Sequence, residues 1–138
     1  MTDFKSLLAI IACSIMLFAC GGAKSPEDVA AEFITNIYDA KTDDAVSMLY
    51  LDEGKEADEK DMMTKKFNGM LPQQKKLIDE QAGGVKDLKA SDAQLNDKKD
   101  KATVEVTVTF NKEFKGSSTK VETVNLKKVK DTWKVSIL

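Results

Sequence analysis

Carboxylates and lysines are the only abundant groups in this 138-residue sequence with which acid–base chemistry can be done. There is no His, the commonest general acid/base and metal ligand. All 21 cationic side chains are Lys, so the bidentate fork that Arg offers to phosphate or carboxylate is missing. Asp39, Asp52 and Glu105 are the carboxylates a pocket could enclose, and burial would raise their pKa and make one of them a proton-abstracting base. The pattern favours solvated positions instead: Glu105 falls on the polar side of a strand and the two aspartates sit beside turns. The pairs Asp43-Asp44 and Asp52-Glu53 supply too few oxygens, in the wrong order, for a calcium loop. Helix capping explains Asp43-Asp44 more simply. Ser47, Ser91, Ser117 and Ser118 have no imidazole to activate them and no strand–turn–helix elbow to present them. Lys86, Lys89, Lys127 and Lys128 lie in strands rich in other charges, where solvent access is expected. Met48, Met62, Met63 and Met70 can line an adaptable apolar groove, though helical spacing makes them core filling. Trp133, next to Val135 and Ile137, reads as a core anchor rather than a stacking platform. These absences predict no catalytic residue, no metal and no cofactor.

One position does carry specific chemistry. After Met1-Thr2-Asp3-Phe4-Lys5 comes an apolar run from Leu7 to Phe18. As a helix its twelve residues rise about 18 Å against a hydrocarbon core of about 30 Å, the length of a secretory signal rather than a span. The run ends in Leu17-Phe18-Ala19-Cys20 followed by Gly21-Gly22, which resembles the bacterial lipobox. Small Ala19 fits a peptidase subsite, the Cys20 thiol accepts diacylglycerol, and the glycines leave the new terminus accessible. Phe18 is bulkier than the residue usual at that place. Ile10-Ile11-Ala12-Cys13 is a competing match, but it would leave Ser14 to Phe18 as an apolar head on the mature chain. The remaining alternative is an uncleaved anchor helix. Cleavage before Cys20 removes Cys13 and commits Cys20 to lipid, so no disulfide and no Cys nucleophile remain. A multiply acylated terminus anchors stably to a bilayer. The expected order is a signal over 1–19, a lipidated tether over 20–24, and one domain over 25–138. The expected place is the cell envelope, on the outer or inner membrane, facing the periplasm or the exterior.

The 119 residues left suit a single domain. The net charge of −2 recruits no nucleic acid, and the lysine-rich C-terminal part has no Arg and no interleaved aromatics. Charge is uneven. Ser25–Asp61 holds 12 acidic residues and 3 lysines, whereas Lys112–Leu138 holds 7 lysines and 3 acids. The two segments read as solvated faces that attract each other within one fold, or as a dipolar surface for a charged partner.

Two hydrophobic periods must position these residues. Ser25-Pro26-Glu27-Asp28 reads as a capped helix start, and Val29, Phe33, Ile34 and Ile37 share one face to about Ala40. A short helix carries Ala45, Val46, Met48 and Leu49. Another carries Met62, Met63, Phe67, Met70 and Leu71, with Pro72 predicting a kink or a fresh turn before Leu77 and Ile78. Gly83-Gly84 stops it. Val85–Leu95 alternates irregularly, as a bulged strand would. Lys101–Asn111 alternates cleanly, with Val104, Val106, Val108 and Phe110 on one side. Gly116-Ser117-Ser118 reads as a loop, Thr119–Val129 as a strand, Lys130-Asp131-Thr132 as a tight turn, and Trp133, Val135 and Ile137 as the inward side of a last strand. Helices followed by a meander predict an α+β fold, with the helices packed on a curved antiparallel sheet of about four strands.

The motifs Ser25-Pro26-Glu27-Asp28-Val29-Ala30 with Phe33, Gly83-Gly84-Val85, Ala102-Thr103-Val104-Glu105-Val106, and Val124-Asn125-Leu126-Lys127-Lys128 leading to Asp131-Thr132-Trp133-Lys134-Val135 carry a likeness. Over residues 25 to 138 the chain resembles small bacterial lipoproteins of domain-of-unknown-function family 4878, within the nuclear transport factor 2-like superfamily. Thr132 stands where such families often have Gly. The resemblance implies a cone-like sheet curled around helices, often with a pocket, and carries over no catalytic residue. Phe33, Ile37, Phe67, Val106, Phe110 and Trp133 are expected to line that pocket or the core. The function this favours is a non-enzymatic envelope lipoprotein, held to the membrane by its lipid, that binds a small molecule or another envelope protein. The alternatives are a pocket enzyme with a carboxylate acid/base and a structural accessory subunit.

Overall fold

The computed structural model describes residues 24–137, so the signal segment and Cys20 lie outside the described residues. The chain enters through helix α1 (Pro26–Tyr38), with Pro26 in the first turn and the Ser25 hydroxyl accepting from the Asp28 N–H at 3.1 Å. Both features satisfy or remove N–H groups that the helix start would leave unbonded. The Glu27 carboxylate accepts from the Ala93 N–H at 2.9 Å and ties this helix start to the sheet. A short helix α2 (Thr42–Ser47) and a long helix α3 (Glu56–Ala82) follow.

Pro72 does not interrupt α3. Proline inside a helix costs about 3 kcal/mol. Here Met63, Phe67, Leu71, Ile78 and Ala82 form one buried stripe along both halves of the helix, and that burial holds the halves in line. The helix ends on Gly83, whose φ of 70° is the left-handed C-cap conformation that glycine adopts at least cost. Asn111 Nδ2 donates to the Gly83 carbonyl at 2.8 Å and fastens this end to the sheet.

The strands are β1 (Val85–Ala90), β2 (Gln94–Leu95), β3 (Lys101–Phe114), β4 (Ser117–Val129) and β5 (Thr132–Val135). They form one antiparallel sheet in the order β1-β3-β4-β5, with the two-residue β2 also pairing β3. This sheet curls as a half-barrel around the helices. Register slips between Val85 and Asp87 in β1, the irregularity its alternation predicted. The expected loop at Gly116-Ser117-Ser118 is instead a tight turn at Lys115-Gly116, both with positive φ, and the two strands it joins are longer than expected. The β4–β5 turn is Lys130-Asp131, again both at positive φ, so Thr132 already belongs to β5.

The core is a single cluster between helices and sheet. It takes Ala102, Val104, Val106, Val108 and Phe110 from β3, Val124 and Leu126 from β4, and Trp133 and Val135 from β5. Ile137 departs from expectation. It lies past the end of β5 and is 45% exposed, because the ladder stops before the alternation can carry it inward.

Candidate functional site

Strand β4 stays apolar on its inner side only as far as Val124. The register with β3 sets Val124 beside Val104, Glu122 beside Val106 and Lys120 beside Val108, so a carboxylate and an ammonium follow the valine and leucine on the same inner face. Tyr38 reaches them from the last turn of α1. Its hydroxyl donates to Glu122 Oε1 at 2.9 Å, and Lys120 Nζ lies 3.0 Å from the same oxygen. Burial, then the hydrogen bond to Glu122 and that carboxylate's charge, push the Tyr38 pKa well above its ordinary value. The phenol therefore stays protonated and acts as a donor, not as a nucleophile. The Phe110 ring centroid is 6.3 Å from that of Tyr38 and 5.5 Å from that of Phe114, an aromatic row running outward along β3.

Among the clefts that open elsewhere, two lie beside β5. The smaller, about 260 Å³, lies between α1 and the β4–β5 hairpin and is lined by Val29, Glu32, Met48 and Trp133 among others. The Lys24–Glu32 ion pair stands at its wall. The larger, about 570 Å³ and open, runs between α2, the start of α3 and the same hairpin. Its lining includes Glu56, Lys60, Lys130 and Lys134 together with Leu49, Tyr50 and Leu51. Lys127 sits 4.3 Å over the Tyr50 ring and Lys128 5.7 Å over Trp133, so two of the hairpin's ammonium groups already rest on aromatic faces.

Phe33, Phe67, Val106, Phe110 and Trp133 are buried in the one core cluster, and Ile37 is half-buried against it. They pack inside the sheet, and Trp133 also borders the smaller cleft. Asp39, Asp52 and Glu105 are exposed and far from convergence; Glu105 stands opposite Thr123 on the outer face. Met63 is buried and Met48 half-buried, while Met62 and Met70 face solvent, so the methionines form no common groove. Among the described residues no group of three acidic, His or Cys side chains converges as a metal site, and no helix is long and apolar enough to cross a membrane. Nor does any ion pair there join the acidic Ser25–Asp61 segment to the lysine-rich C-terminal one. Their direct polar links are Tyr38 to Glu122, Lys134 Nζ to the Ser47 carbonyl, and two backbone bonds, from the Tyr50 N–H to the Val135 carbonyl and from the Val135 N–H to the Met48 carbonyl. The Tyr38–Glu122–Lys120 contact was missed in the sequence, though counting inward positions back from Val124 by twos reaches both charges.

Comparison with known proteins agrees with this architecture. A family model described as a domain of unknown function, DUF4878, matches residues 18–136. No curated protein sequence matches the chain. A crystal structure from Campylobacter jejuni, described provisionally as an NTF2-like transpeptidase, is similar at a TM-score of 0.68 and 27% identity, covering 83% of this chain and all of that one.

Proposed function

Since the chain belongs to the DUF4878 family and shares the NTF2-like fold, we propose that it is a lipid-anchored, non-enzymatic envelope protein whose ligand is another envelope protein. The observation that carries this reading is the filled inner face of β3, the sheet's longest strand. From Ala102 to Phe110 every inward side chain of β3 is buried in the core. A sheet whose long central strand is packed under core side chains offers its outer surfaces and edges instead, and those suit a macromolecule. The anchor rests on Leu17-Phe18-Ala19-Cys20 and the apolar run before it. The provisional transpeptidase description of the Campylobacter protein is not carried over. Acyl transfer needs an activated nucleophile, and this chain has no His and no Cys after position 20.

A second reading, a carboxylate enzyme, has one observation in its favour: Glu122 is on the inner face with Tyr38 and Lys120 beside it. Both partners bind the same oxygen, so that oxygen is engaged by donors rather than presented as a base.

The test is native purification of the full chain from membranes, with mass spectrometry of its terminus and of whatever accompanies it. The expected result is a diacylglyceryl Cys20 terminus, a co-purifying protein and no stoichiometric small molecule. Cys20→Ala is expected to leave an unprocessed precursor. A mature terminus elsewhere removes the anchor, and a bound small molecule removes the protein-ligand reading. Turnover of any compound that is lost in folded Glu122→Gln replaces it with the enzyme.

A further inference from the structure

The outer edge of β4 is half covered. Strand β5 pairs it from Leu126 to Val129, and the Ser136 N–H reaches the Asn125 carbonyl at 2.8 Å. Among the described residues nothing pairs the edge from Thr119 to Val124. The parity of the strand says which groups face outward there. The Asn125 carbonyl points to the β5 side, whereas the Lys128 N–H points the other way, to Asp100. Thr119, Val121 and Thr123 share the parity of Asn125 and therefore turn their N–H and C=O groups to the open side. The Ser117 hydroxyl occupies both groups of Thr119, a local substitute for a neighbouring strand. At the centre, Val121 is 54% exposed, the most exposed large apolar side chain among the described residues.

We propose that a second copy of this chain docks on this edge, antiparallel, with the two-fold axis at Val121. The charges select that register. An axis at Lys120 sets lysine against lysine, and an axis at Glu122 sets glutamate against glutamate. An axis at Val121 sets Lys120 of each copy opposite Glu122 of the other. It also pairs valine with valine and Thr119 with Thr123, each a favourable cross-strand pair. Backbone parity agrees: Val121 opposite Val121 is a hydrogen-bonded pair with two N–H···O bonds, and the outward groups of Thr123 meet those of Thr119, which would exchange the Ser117 hydroxyl for them on docking. The contact is isologous, so it closes at two copies and covers both open edges. The proposal stands whether or not the chain carries lipid.

The experiment is the mass of the full chain in detergent, by light scattering across a concentration series. The parent is expected to be a monomer–dimer equilibrium. Val121→Pro removes one outward N–H from each copy. An edge strand tolerates proline when its N–H faces solvent, so the fold survives. The dimer constant is expected to fall by at least about tenfold, from the loss of two symmetric hydrogen bonds. Far-ultraviolet dichroism and the Trp133 emission check that the variant is folded. Lys120→Glu alone and Glu122→Lys alone are each expected to weaken the dimer by roughly two- to fivefold, and the two together to restore it. A monomeric parent at every concentration overturns the proposal. So does a dimer that folded Val121→Pro leaves unchanged, or a double exchange no tighter than either single one.

Discussion

From Asn125 to Val129 strand β4 has a neighbour on both edges, and its inward Leu126 is sealed under the helices. From Thr119 to Thr123 the same strand has a neighbour on one edge only, and its inward positions are Lys120 and Glu122. No break in hydrogen bonding to β3 separates the two stretches, so backbone pairing does not distinguish them. What differs is what lies above. Helices and β5 cover the first, while only the Tyr38 hydroxyl and the Phe110–Phe114 row reach toward the second. One continuous strand is therefore core over half its length and carries an open edge and charged inward positions over the other half. The change is written in three inward residues: Val124, Glu122 and Lys120.

The covered half should fail hardest. Trp133 is only 9% exposed and lies on β5, opposite Lys128 of β4. Truncating a buried aromatic costs about 3–5 kcal/mol, against a typical domain total of about 5–15 kcal/mol. Trp133→Ala is therefore expected to lose a large part of the folded state in urea unfolding. If its midpoint equals that of the parent, Trp133 is no core residue and the contrast between the halves is wrong.

A single chemical change made twice sharpens the contrast. Threonine has the shape of valine with a hydroxyl in place of a methyl. Val124→Thr buries that hydroxyl in an apolar layer and is expected to cost about 1–3 kcal/mol. Val121→Thr, three residues earlier and facing outward, is expected to stay within about 0.5 kcal/mol when measured at high dilution. Equal costs at the two positions would mean that β4 is buried, or exposed, throughout.

Much of this was legible beforehand, for reasons tied to period. The alternation from Val104 to Phe110 had only one reading, and the Ser25-Pro26 start and the Gly83 stop are local signals that tertiary packing did not override. Pro72 and Ile137 misled. Proline was outweighed by a buried stripe extending on both sides of it, and Ile137 was stranded by a ladder that ends at Val135. The Tyr38–Glu122 contact joins positions 84 apart in the chain, and neither residue type announces a partner. Strand parity puts Glu122 on the inner face, but which residues stand beside it follows from the register between β3 and β4, set by the turn at Lys115-Gly116 and an irregularity after Thr109. The six residues expected to line a pocket or the core have the right apolar pattern, but a pattern of burial does not distinguish a filled interior from a hollow one.

The smallest expected effect tests the link between the two halves. Tyr38→Phe removes the hydroxyl that joins α1 to Glu122 and leaves the ring in place. Glu122 keeps Lys120 and partial access to water, so no buried charge is orphaned. The expected loss at neutral pH is about 1 kcal/mol, a net hydrogen bond to a charged but partly solvated group. Its pH dependence identifies the hydroxyl. Below the ordinary tyrosine pKa of 10.0 the phenol is protonated in folded and unfolded chains alike, and the stabilisation is fully present. Above it the unfolded chain ionises while the folded chain, whose pKa is raised, keeps its proton. The folded state then binds more protons, so the contribution falls as pH rises, by at most about 1.4 kcal/mol per unit. Unfolding measured between about pH 8 and 11 should therefore show the advantage of the parent over Tyr38→Phe constant at first and shrinking above pH 10. Other titrating groups are common to both proteins and cancel in the difference. An advantage that stays flat to the top of that range would mean that the hydroxyl is solvated in the folded protein, and that α1 holds the bare half of β4 by ring contacts alone.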